Sequence, residues 1–152
     1  MDFNSHVRTT GSALKNWFFA TLQDALLVGL MWFIGLMILH VPWALLWAII
    51  GGLCQFIPNF GPLIAVIGPA LATLFASQSD ALMHLLYVFI LYAIIAVIDG
   101  LALQPYLMKR SNRVPIWASI LAPIVLGFVI PFWGVLLAPP LLAVIYAHKR
   151  RG

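Results

Sequence analysis

The chain has no glutamate, a single cysteine and very little charge of either sign. Its acidic residues are four Asp, set against eight Lys and Arg in 152 residues, so only 8% of the chain is charged while 64% is apolar. Ordinary soluble domains carry about 25% charged residues. That class is excluded, and a mean hydropathy of +1.06 places the chain in a lipid bilayer. Cys54 stands alone, so no disulfide forms within the chain, and in its apolar run it reads as a small packing residue. Four scattered histidines lack the spacing of a metal site. No Ser–His–Asp set, phosphate loop or dinucleotide motif is present, which disfavours an enzyme and calls for no cofactor. Met1–Gly11 is polar and lacks the short apolar core and cleavage site of a signal peptide.

What charge there is falls in clusters. Arg8 and Lys15 lie near the start, Lys109, Arg110 and Arg113 in the middle, and Lys149, Arg150 and Arg151 at the end. Between them run long charge-free stretches, such as Ala25 to Ser79. This is the loop pattern of the positive-inside rule and not a nucleic-acid patch. It predicts a multi-pass membrane protein with both termini cytoplasmic.

The fold class read from the pattern is an all-α integral membrane protein. Residues 1–11 form a polar, frayed arm and 12–147 the membrane domain, with a basic tail over 148–152. Leu14, Phe18, Leu22 and Leu26 recur every four residues, which predicts one long helix over 12–39 with Trp17 as an interfacial anchor. On this reading Asp24 lies at the interface, near Lys15 or the headgroups. A broken hairpin follows over 42–76, a span over 81–98, a basic loop over 99–115, and a second broken hairpin over 116–147. Each hairpin arm holds about 14–16 residues, roughly 21–24 Å of helix, short of a hydrocarbon core of about 30 Å. Re-entrant arms or a locally thinned bilayer accommodate that length.

The hairpin apices echo each other. A shift of 73 residues carries Ile57, Pro58, Gly61, Leu63, Ala65 and Ala70 onto Ile130, Pro131, Gly134, Leu136, Ala138 and Ala143. The shared feature is Ile-Pro-x-aromatic-Gly. With the arm in the cytoplasm, the first apex points inward and the second outward, so the two hairpins have inverted orientation. Short, Pro/Gly-interrupted segments in corresponding positions of two halves mark transporter substrate sites. Broken backbone at membrane depth must be sheltered in protein or line a wet cavity.

These residues resemble a known family. GGLCQFIPNFGPLIAVIGPALATL looks like the G-x-x-x-x-I-P-x-x-G-P-x-x-x-x-x-P segment of the autoinducer-2 exporter family, the PerM-like permeases. DGLALQPYLMKRSNRVPIWASIL resembles that family's acidic residue, L-x-P and basic stretch, and GFVIPFWGVLLAPPLLAVIYA resembles its final segment. HVPWALLWAIIGGL fits the run before the first motif. Members are usually more than twice this long, so the resemblance identifies a C-terminal half. Pro139-Pro140 doubles the family's single late Pro, and the usual acidic residue is Asp99. The resemblance implies export of a small hydrophilic signal (quorum sensing), coupling to a cation or proton, and a homo-oligomer. A half-length, non-transporting subunit that packs with partner spans is the alternative.

The expected substrate or ion path comprises Asn59, Gly61 and Pro62 at the first apex, with Asp99, Gln104 and Pro105 after the central span. Asp99 ends an apolar run, where an ionisable group is a functional candidate; the competing reading pairs it with Lys109, Arg110 or Arg113. Gln104 and Pro105 either shape a half-helix beside the path or turn a surface loop. Gln55 either bonds across helices or meets the solute.

Overall fold

Lipid offers a backbone no hydrogen bonds, so an apolar chain closes its N–H and C=O groups within helices. The computed structural model describes residues 3–57, 60–76, 79–104, 106–107, 115–131 and 133–149, and every regular element among them is helical. The helices are α1 (Phe3–Ile38), α2 (Ala44–Cys54), α3 (Gly61–Phe75), α4 (Ala81–Ile98), α5 (Ile116–Val129) and α6 (Trp133–Lys149). A π-helical turn, Asp99–Leu103, continues α4.

α1 begins well ahead of the expected Ser12. No proline interrupts the N-terminal segment, and an interior glycine such as Gly11 costs about 1 kcal/mol without breaking a helix. The Ser12 hydroxyl donates back to the Thr9 carbonyl at 2.9 Å. Among the described residues, two helices are long and apolar enough to cross a membrane: Arg8–Ile38, with mean hydropathy 1.7, and Ala81–Leu103, with 2.5. Leu26, Leu30, Ile34 and Ile38 are exposed along one face of α1, and Leu82, Phe89 and Val97 on α4. A water-facing surface rarely carries so large an apolar area; facing lipid, it is ordinary.

The chain divides into two compact units. The unit Gln23–Gln104 holds the latter part of α1, then α2, α3, α4 and the π turn. Its core is Val28, Trp32 and Leu36 of α1 with Ala48, Val66 and Val88 of the other helices. α1 meets α2 through small residues: a Cβ on Gly52 would press on the Ala25 carbonyl, and one on Gly29 on the Ala48 carbonyl. Such close backbone approach is how helices associate where no hydrophobic force separates them from lipid.

The turn from α1 to α2 closes α1 without a glycine. His40 takes the left-handed conformation, φ 53°, its amide bonding to Met37 and that of Val41 to Leu36. These are the two bonds of a Schellman cap, with Leu36 and Val41 buried as its apolar pair. Pro42 follows, where the helix cannot continue. At the start of α4, Asp80 takes the N-cap position with no side-chain capping bond; its carbonyl accepts from the amides of Met83 and His84.

The other unit holds the beginning of α1 with α5 and α6. α5 and α6 pack on each other, and Ala118, Pro123, Ala138, Leu142 and Ala143 of these helices are buried. Pro123, Pro139 and Pro140 lie inside these helices. Each removes one backbone donor.

Candidate functional site

The site begins with the backbone after α4. In an α-helix, residues five apart point about 140° away from each other, so Asp99 and Gln104 would not meet. The π turn adds a residue to the turn, and position i+5 takes the place that i+4 normally holds. The Gln104 amide N–H donates to the Asp99 carbonyl, and Gln104 Nε2 donates to Asp99 Oδ2 at 3.0 Å. One residue thus holds both the main chain and the side chain of Asp99.

A second carboxyl arrives from α1. Antiparallel packing sets Gly35 of α1 against Leu91 of α4, which carries the earlier part of α1 toward the end of α4. There the side chains of Asp24 and Asp99 approach each other. Asp24 is only 8% exposed and Asp99 2%. Oδ1 of each has no partner. Residues 16–108 contain no Lys or Arg, so no basic side chain of the unit neutralises the pair. Burial of an unpaired charge costs several kcal/mol, and an ionisable group within a span faces protein or a water-filled path.

The α1–α2 register adds a third polar group. Ala25 opposes Gly52, and Gln55 lies about one turn further along α2, at the level where α1 approaches Asp24. Gln55 is 8% exposed, and its Nε2 lacks a partner. Among the described residues, the buried side-chain atoms without a partner are Asp24 Oδ1, Gln55 Nε2 and Asp99 Oδ1. They supply two acceptors and one donor.

The first apex lies at this same end of the unit. Gly61 donates its N–H to the Ile57 carbonyl at 2.8 Å, and a Cβ there would run into the Cys54 carbonyl. Only glycine fits so near the backbone of the preceding helix. Pro62 is half-buried in the first turn of α3, where a missing N–H costs nothing. Gly61 and Pro62 therefore shape the backbone, while Asp99 and Gln104 form the polar cluster. Asn59 and Pro105 lie outside the described residues, as do Lys109, Arg110 and Arg113.

The residue that the sequence pattern left at the interface is Asp24. A signal for it exists: Asp24, Val28, Trp32 and Leu36 recur at four-residue spacing, and all are buried. Leu14, Phe18 and Leu26, the apolar series that marks the helix, are exposed. In a bilayer the more aliphatic face turns outward, so a polar residue in line with Trp and small side chains marks the inward face.

Among known families, the model of the one described as AI-2E family transporter matches residues 1–151. No curated protein matches the chain.

Proposed function

The chain belongs to the AI-2E transporter family, and on that premise we propose that it is a permease moving a small polar solute or an ion across the bacterial cytoplasmic membrane. The observation that carries this reading is the pair of buried carboxyls of Asp24 and Asp99, with Gln104 bonded to Asp99, in a unit that holds no Lys or Arg and beside a glycine-pinned hairpin apex. A merely structural helix bundle gains nothing from unpartnered carboxyl oxygens in its interior. A transport site needs such atoms free for its cargo.

The three basic clusters support cytoplasmic termini. Counting from Ile38, about 20 residues of α1 suffice to cross the hydrocarbon core, which keeps Asp24 inside the membrane on the cytoplasmic side. The equivalent turns at Ile57–Gly61 and Ile130–Gly134 support two related hairpins, and the placement of the basic clusters along the sequence supports their inverted topology, as expected for alternating access. Export of a signal molecule and assembly from several copies are further parts of the reading.

Purified protein in sealed liposomes tests it. Movement of a sugar-like solute, a signal molecule, sodium or protons is expected, and Asp99→Asn is expected to abolish it. A chain that moves none of these is instead the half-length packing subunit. Flux unchanged in Asp99→Asn removes that carboxyl from the path.

A further inference from the structure

We infer that Asp24 and Asp99 act as one ionisable unit that holds a single proton between two helices, which makes Asp24 a second coupling residue. Two buried carboxyl groups set this close repel each other when both are ionised, so one of them holds a proton. No Lys or Arg of the unit supplies compensating charge, and the titratable side chains of α4 are His84, Tyr87 and Tyr92. α1 contributes Asp24, the π turn Asp99, and α2 the neutral Gln55 and the buried thiol of Cys54. α3 has no titratable side chain. The two histidines of the unit stand away from the pair: His40 follows α1 by 16 positions from Asp24, and His84 precedes Asp99 by 15, each about 22–24 Å of helix.

The pair is asymmetric. Gln104 donates to Asp99 Oδ2 and so holds the carboxyl of Asp99 on the π turn. Asp24 sits on the 36-residue helix α1 and Asp99 on a π turn with Gly100, where a Cβ would meet nothing. Any rearrangement that separates the two carboxyls splits the unit into two isolated buried groups, and the proton must be released or a second one taken up. That is a coupling device of the smallest kind. That the proton travels with solute rests on the permease reading above; that the pair holds it does not.

The test therefore reads protonation directly. Infrared spectroscopy of the intact chain in nanodiscs follows the protonated-carboxyl band as pH is varied in sodium-free buffer. Only four aspartates carry side-chain carboxyls, so the band is sparse. The wild type is expected to show two well-separated steps from the pair. Asp24→Asn and Asp99→Asn should each collapse them to one step at an intermediate pH, while the exposed Asp80→Asn leaves both in place. A step in either single variant that coincides with a wild-type step means the carboxyls titrate independently, and the inference is overturned. So does loss of the band at fixed pH when sodium replaces choline, since the pair then holds a metal cation. In liposomes Asp24→Asn should lose proton-linked flux as fully as Asp99→Asn, with the double variant no worse. A chain that shows the two coupled steps but carries no flux keeps the pair and loses the permease.

Discussion

The two Ile-Pro-x-aromatic-Gly turns differ in what flanks them. Their backbones agree closely: Gly61 bonds to Ile57 at 2.8 Å and Gly134 to Ile130 at 2.7 Å. In each, a Cβ on the glycine would strike a carbonyl of the preceding helix, that of Cys54 in one and Leu126 in the other. The neighbours part company. Gln55, 8% exposed with an unpartnered Nε2, corresponds to Phe128, which is 92% exposed. The unit of the first turn also holds Asp24, Asp99 and Gln104. The turn is thus a way of closing a short hairpin. The chemistry belongs to what was added beside one copy of it.

The largest effects should strike both copies alike. Gly61→Ala and Gly134→Ala are each expected to destabilise the protein by about 3 kcal/mol, since the added carbon meets backbone that cannot rotate away. Thermal unfolding in detergent measures this, and a neutral result at either position would show that its turn is loosely packed. Next comes a change that should separate the copies. Gln55→Leu is expected to slow flux about tenfold, roughly 1.4 kcal/mol, while raising the unfolding midpoint because an unpartnered buried amide is removed. Phe128→Leu should alter neither. Gln104→Asn keeps the amide but shortens its reach to Asp99; a several-fold loss of flux, about 1 kcal/mol, is expected. The smallest effect is a control on a third turn. His40→Gly relieves a left-handed residue and should stabilise by about 0.5–1 kcal/mol, with flux unchanged.

Helical content, the membrane setting and the family were legible because each rests on long, redundant patterns. Charge-free runs and the ordered I-P-N-F-G-P and D-x-x-x-x-Q-P blocks are such patterns. Asp99 and Gln104 were legible for the same reason. Asp24 was hidden by an inversion. The Leu14–Phe18–Leu26 series that announces α1 faces outward, while the inward series begins at Asp24 and continues through Val28, Trp32 and Leu36. A reading that puts leucines inside puts Asp24 outside. Its partnership with Asp99 joins residues from opposite ends of the unit, and no local period encodes that. The side-chain bond from Gln104 to Asp99 was hidden more simply, because five is not a helical spacing until the turn widens.

That widened turn also carries information about chain length. Deleting one residue between Gly100 and Leu103 would let α4 run on as ordinary helix, with the amide four positions from the carboxyl and still beside it. Adding one would swing the amide away by about 100°. Pairing at this site should therefore survive a shorter chain and fail with a longer one. The π turn sits at the upper limit of the spacing that keeps Gln104 on Asp99.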